Sequence, residues 1–283
     1  MNADLDAYFG RLGYDGPSQP TLRTLQRLHA LHADRIPFEN LSPFVGEPVR
    51  LDMDSLQDKL LRRGRGGWCF EQNVLFANML QALGYDVTRL AARVRWNVPI
   101  ERATPRSHML LHVRLPEGDY IADVGFGGLT LSAPLKLEAD VVQATPHEPH
   151  RLMAHDAGFR LEALIAGGWS TLYIFDLHEQ QLADYEVSNW YHCHHPDSHF
   201  LKMVTAARAA PGVRHALRGV RYATHTADGK TERREVRDVD EYRELLENAF
   251  ALRLPEAPNL DEKLSRMIEQ GMGSDPISTT STR

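Results

Sequence analysis

The sequence predicts an α+β protein in three parts: an N-terminal helical bundle, a central antiparallel sheet or small β-barrel, and a mixed α/β C-terminal segment. Two observations carry this. Apolar residues recur at helical spacing through the first 85 residues, and from residue 86 they alternate one-in, one-out. The alternating runs are also joined by turn sequences, as hairpins are.

The elements follow in order. Leu5, Tyr8, Phe9 and Leu12 mark a first helix, and Leu22, Leu25 and Leu28 a second. Pro37 and Pro43 bracket "IPFENLSPF", read as an irregular link rich in residues that favour burial. Leu56, Leu60 and Leu61 suggest another helix, broken by the Gly and Arg of residues 62–67. The helical pattern restarts at Cys69 with Phe76, Met79, Leu80 and Leu83, and Gly84 supplies a stop. In "TRLAARVRW" Leu90, Ala92, Val94 and Trp96 alternate with Arg89, Ala91, Arg93 and Arg95, a half-buried strand. "HMLLHVRL" sets Met109, Leu111, Val113 and Leu115 on one face and His108 and His112 on the other. "PEGD" is turn chemistry, and "YIADVGFGG" returns as a strand ending in glycines. "FRLEALIAGGWSTLYIF" adds hairpin-like runs, "LADYEVSNWYHC" a short helix, and Asp228-Gly229 the turn of a further hairpin. Tyr242, Leu245, Leu246 and Phe250 mark a helix, and the polar run from residue 272 to 283 reads as a disordered tail. The parts divide at 1–85, 86–190 and 191–271.

At 283 residues, 42% hydrophobic and 25% charged, the chain has the composition of a soluble globular protein of more than one domain. A net charge of −6 argues against a general nucleic-acid or membrane-surface binder, and no apolar run approaches the roughly 20 residues of a membrane span. Two cysteines, Cys69 and Cys193, are too few for a disulfide framework, which points to a reducing, cytoplasmic home.

One of those two cysteines stands where chemistry is favoured. "RGRGGWCFEQN" puts Cys69 at a helix start, where unpaired backbone N–H groups and the positive dipole end favour a thiolate. Arg63 and Arg65 add positive charge upstream, and the N–H groups of Gly66 and Gly67 are candidates for holding an oxyanion. The competing reading is a small core residue on the inner helix face. A thiol nucleophile needs a histidine to take its proton and a third group to orient that histidine. Among 14 histidines, His108 and His112 share a strand face, and the returning strand carries Asp123 in an otherwise apolar run. That carboxylate either faces solvent or is held for a purpose.

"RGGWCFEQN", "SHMLLHVRL" and "DYIADVGFGG", with "IPFENL" before them and "SNWYHCHHPDSHF" after, resemble the arylamine N-acetyltransferase family, in order from about residue 5 to 255. The resemblance implies a helical bundle, a β-barrel and an α/β lid with a cysteine-protease-like core. It implies a Cys69–His108–Asp123 triad that carries an acetyl group from acetyl-CoA to an aromatic amine or hydrazine by ping-pong transfer. It further implies a Glu39–Arg65 ion pair steadying the loop before Cys69. Phe38, Val94, Phe126 and Phe200 become walls of a flat apolar pocket, whose other reading is plain core. Gly125, Gly127 and Gly128 become close-approach points for coenzyme A, or only a strand-end turn. It allows a homodimer and requires no metal. The crowded His192, Cys193, His194, His195 and His199 match neither zinc-finger spacing nor H-E-x-x-H.

One conflict arises in the hairpin. Counting across a tight "PEGD" turn sets His112, not His108, opposite Asp123, whereas the resemblance selects His108, which opens the strand. A bulge, a longer loop or strands that are not neighbours would reconcile them. Rival readings are a thiol hydrolase or transglutaminase-like enzyme, an amide synthase taking a larger acyl thioester, and a non-catalytic binding module with a structural Cys69.

Overall fold

The computed structural model describes residues 3–99 and 101–271, so the tail read as disordered lies outside the described residues. Helices α1 (Leu5–Leu12) and α2 (Leu22–Arg35) start on side-chain caps: Asp4 accepts the Ala7 N–H and Thr21 accepts the Thr24 N–H. The link "IPFENLSPF" is more ordered than its prolines suggest. It forms a two-residue strand β1 (Phe38–Glu39) and a helix α3 (Leu41–Val45), and every side chain in them is buried. After α4 (Met53–Leu56) the helix widens into a π-helical turn over Gln57–Arg62.

Helix α5 (Cys69–Ala82) is the centre of the first core. Phe70, Val74, Leu75, Phe76, Met79 and Leu80 are buried all round it, as befits a helix enclosed on every side. Strands β2 (Asp86–Val94), β3 (Arg106–Leu115) and β4 (Gly118–Ala122) pack one face on this core through Val87, Ala91, Met109, Leu111 and Val113. Their other face, Leu90, Ala92, Leu110 and Ile121, enters a second core inside the barrel. The "TRLAARVRW" strand is thus buried on both faces around residues 90–92, rather than on one.

The remaining strands of this sheet are β5 (Leu135–Lys136), β6 (Val142–Gln143), β7 (His150–His155), β8 (Gly158–Ile165) and β9 (Gly168–Glu179). The order is β5-β4-β3-β2-β9-β8-β7-β6, all pairs antiparallel. The two ends of the sheet meet where the Gln143 side-chain amide donates to Lys136 O and accepts from Lys136 N, which nearly closes a barrel.

Helix α6 (Leu182–His194) returns from the barrel to the first core. It is followed by a second sheet of β10 (Thr205–Ala210), β11 (Val213–Arg218), β12 (Arg221–Thr226) and β13 (Thr231–Glu235), with β1 paired to β10 at its edge. Helices α7 (Val239–Asn248) and α8 (Leu260–Glu269) cover it over a third core of Tyr242, Leu246, Phe250 and Leu264. Strands β10 and β11 and helix α8 are additions to what the periodicity predicted. The run "VTAARAA" is mostly alanine, too small to give a strong alternating signal.

The β3–β4 register corrects the count across "PEGD". Gly118, at φ 134°, already pairs with Leu115, and Asp119 pairs with Arg114, so only Pro116 and Glu117 form the turn. His112 therefore lies across from Ile121, and Asp123 follows the end of β4. On its other side β3 slips register against β2 between the Ala92–His108 and Arg93–Arg106 pairs. Ser107 is left as a bulge directly before His108.

Candidate active site

Cys69 is the first residue of α5 and only partly buried, while the rest of that helix turn is enclosed. The helix start is fixed by the Glu71 carboxylate, which accepts the Trp68 N–H and pairs with Lys59 Nζ at 2.7 Å. Cys69 Sγ lies 3.9 Å from the Ser107 carbonyl oxygen, at the bulge before His108.

His108 and Asp123 meet as the resemblance implies. His108 Nε2 is 2.7 Å from Asp123 Oδ2, and both side chains are buried. That contact leaves Nδ1 as the ring nitrogen free for the sulfur. Burial alone would lower the His108 pKa. The charge and hydrogen bond of Asp123, with a smaller contribution from Cys69, outweigh it and push His108 up to about 10. Burial likewise pushes Asp123 up, but His108, the Gly125 N–H and Asn73 hold it below the usual carboxylate range. His112 is elsewhere: its Nε2 is 3.0 Å from Asp119 Oδ2 at the far end of the hairpin.

Asp123 is held by more than the histidine. Its Oδ2 accepts from the Tyr173 hydroxyl at 3.0 Å, and its Oδ1 accepts from Asn73 Nδ2 at 3.1 Å and the Gly125 N–H at 3.0 Å. Its own N–H donates to His29 Nε2 at 3.2 Å, and burial lowers His29 to about 4, so that ring is neutral and able to accept. Asn73 also donates to Met109 O and accepts the Val124 N–H, tying α5 to both strands. Sequence reading did not single out Asn73, Tyr173 or His29. Asn73 does carry a signal, as an amide one helical turn beyond Cys69.

The supporting residues fall out as follows. Arg65 donates to Glu39 Oε1 from Nε at 3.1 Å and Nη2 at 2.9 Å, with both side chains fully buried. Arg65 is thus neutralised locally, and Arg63 is half exposed beside Asp58. Neither supplies the bare positive charge expected near Cys69. Gly67 does not offer an oxyanion donor either, because its N–H is spent on Pro37 O. A Cβ on Gly66 would sit 2.1 Å from Pro37 O, so glycine is required there for close packing.

The four apolar residues make separate contacts. Phe126 packs edge-on against His108 and Tyr173 at 5.0 and 5.2 Å between ring centroids. Phe38 and Phe200 pair at 6.2 Å, and Phe200 also meets Trp68 at 5.3 Å. Val94 is half-buried at the end of β2, paired in register with Tyr173. Gly127, at φ 86°, runs past the Phe38 ring, and Gly128 faces Ala216. Gly125 is committed to packing: a Cβ there would lie 2.7 Å from Cys69 Cα.

The crowded histidines diverge. His194 stacks on Trp190, His195 on Tyr191, His199 lies on Phe200, and His192 meets Trp68 edge-on. Among the described residues no group of three or more His, Cys, Asp or Glu side chains is arranged to hold a metal, and no helix is long and apolar enough to cross a membrane.

The arrangement is that of a partly exposed thiol at a helix N-terminus with a buried imidazole–carboxylate pair beside it, suited to acyl transfer. Comparison with known proteins agrees. The N-acetyltransferase family model matches residues 21–258. The arylamine N-acetyltransferase of Mycobacterium tuberculosis is 41% identical over 282 residues, which is 97% of this chain and 99% of that protein. An arylamine N-acetyltransferase / N-hydroxyarylamine O-acetyltransferase of Salmonella typhimurium is 38% identical over 253 residues, 89% of this chain and 90% of that one. The structure of the Mycobacterium marinum arylamine N-acetyltransferase in complex with CoA superposes with a TM-score of 0.89 at 38% identity, covering 93% of this chain and 99% of that one. By sequence and by fold, this chain belongs to the arylamine N-acetyltransferase family.

Proposed function

We propose that this protein transfers the acetyl group of acetyl-CoA to the nitrogen of an arylamine, with Cys69 as nucleophile, His108 as proton carrier and Asp123 as its orienting group. The observation that carries the assignment is the 2.7 Å His108–Asp123 contact beside a partly exposed Cys69 at the head of α5.

With His108 held protonated by Asp123, the resting pair is thiolate and imidazolium. The Cys69 sulfur attacks the thioester carbonyl carbon, and the bond from that carbon to the CoA sulfur breaks. His108 gives its proton to the departing thiolate and becomes neutral. The amine nitrogen then attacks the acetyl-cysteine, His108 takes the nitrogen's proton, and Cys69 leaves as thiolate, restoring the ion pair. Phe126 beside His108, with Phe38 and Phe200, gives a flat amine an apolar surface. Gly127 and Gly128 are the points where the CoA chain passes close to backbone. Arylhydrazines, with the same nucleophilic nitrogen, are second acceptors. The division at residues 85 and 190, a homodimer and a cytoplasmic location complete the proposal; both cysteines are free, as a reducing compartment allows.

The test is intact mass after mixing with acetyl-CoA alone. An acetyl increment on Cys69, removed by adding an arylamine and absent in Cys69→Ser, is the expected result. Release of CoA without that increment would point to a hydrolase. Acylation only by larger thioesters would point to an amide synthase.

A further inference from the structure

Helix α6 touches both halves of the site without supplying any member of the triad. Asn189 Oδ1 accepts the Trp68 indole N–H at 3.0 Å, and Asn189 Nδ2 donates to Val49 O at 2.9 Å. Trp68 is the residue directly before Cys69, so this buried amide fixes the chain at the nucleophile.

One turn along and on the same face, the His192 ring meets Trp68 at 5.9 Å and Phe200 at 5.4 Å between centroids, both edge-on. Burial lowers the pKa of that ring to about 4, so it packs there as a neutral side chain. Ser188 adds a longer contact, its hydroxyl 3.5 Å from Arg106 O. Arg106 and Ser107 are the two residues before His108, and Ser107 is the bulge where β3 leaves register with β2. The bulge leaves Ser107 out of the ladder, which holds His108 opposite Ala92 and resumes at the Arg93–Arg106 pair.

We infer that α6 is a brace that sets the Cys69–His108 separation, with Asn189 as positioning residue on the nucleophile side and Ser188 on the histidine side. Asn189 acts through the Trp68 indole and Ser188 through the Arg106 carbonyl. The inference rests on Cys69 and His108 working as a pair, as proposed above, and adds what holds them at reacting distance.

The test reads the thiol directly. Ser188→Ala removes the hydroxyl contact to Arg106 O. Asn189→Leu keeps approximate volume while losing the Trp68 contact. Each is compared with wild type for the rate of Cys69 alkylation by iodoacetamide against pH, for acetyl-enzyme formation from acetyl-CoA, and for melting temperature. The expected result is an alkylation rate at neutral pH roughly ten- to a hundredfold below wild type, with the profile displaced to higher pH, a larger loss than the lowered melting temperature of Asn189→Leu explains. Ser188→Thr, which keeps the hydroxyl, keeps the wild-type rate. Wild-type alkylation profiles in both folded variants would overturn the brace, as would losses that only track the folded fraction. Alkylation does not involve acetyl-CoA. A displaced profile in a protein that acetyl-CoA never acetylates would therefore keep the brace and reject the acetyl-transfer reading.

Discussion

His108 and Asp123 are 2.7 Å apart although no ladder pair joins them: β4 ends at Ala122, and His108 lies just beyond the bulge on β3. Their meeting therefore depends on side chains holding Asp123 after its strand has stopped, and four hydrogen bonds to its carboxylate do so.

Asp123→Asn tests the charge at the centre of that cluster. The amide is close in shape but cannot hold a proton on His108, whose burial then lowers its pKa. Acetyl transfer is expected to fall about 10³- to 10⁴-fold, read as CoA release in the presence of an arylamine. A variant within tenfold of wild type would show that His108 needs no carboxylate.

The chain order of the proposed triad was legible in the sequence because it depends on residues the chain must spell out: a cysteine at a helix start, a histidine on a strand, an aspartate in an apolar run. Their spatial match was not. Counting across the hairpin centred its two-residue turn on Glu117 and Gly118, when Gly118 already pairs with Leu115, and so offered His112. Periodicity reports which face a residue takes, but a bulge at Ser107 and a strand that stops before Asp123 leave no period to read. The supporting shell was hidden for a related reason. Tyr173 and His29 sit 50 and 94 residues from Asp123 in the chain, and nothing local to either of them announces the contact.

The buried ion pair predicts an asymmetry. Glu39→Gln leaves Arg65 charged and enclosed without its counterion, at an expected cost of about 3–5 kcal/mol in urea unfolding. Replacing the two together, Glu39→Leu with Arg65→Met, is expected to cost far less, because neither charge is then stranded. If the double variant is no better than the single, the loop before Cys69 needs the pair for its shape rather than for charge balance.

Stability should peak near pH 6.5. Burial lowers His29 to about 4 and His32 to about 3, and His150 and His192 to about 4. Between pH 6.5 and 4 the unfolded chain binds protons that these rings refuse, so stability falls as pH drops through that window. Glu71, raised by burial, opposes this but is a single group. His108 acts on the alkaline side: its pKa of about 10 stabilises fully below 6.5 and is lost as pH rises from 6.5 to 10. At roughly 1.4 kcal/mol per unit, changes of a few kcal/mol are expected on each side in urea midpoints taken from pH 4.5 to 10. A flat plot over that span would mean the rings are not held in these states.

Gly125→Ala separates two uses of the glycine-rich turn. Were Gly125 only a place where CoA passes near backbone, a methyl group there would raise KM for acetyl-CoA and leave the thiol untouched. The structure gives it other neighbours: the added Cβ would lie 2.7 Å from Cys69 Cα, 3.0 Å from Asn73 Nδ2 and 3.2 Å from Cys69 O. Backbone on one side and a doubly bonded amide on the other leave no flexible end to move aside, so α5 must shift away from the strand end that carries Asp123. Overpacking of this kind costs about 1–3 kcal/mol. Here it also moves Cys69, so alkylation of that thiol is expected to slow along with acetyl transfer, at every acetyl-CoA concentration. An alanine variant with wild-type alkylation and a raised KM alone would assign Gly125 to the co-substrate instead.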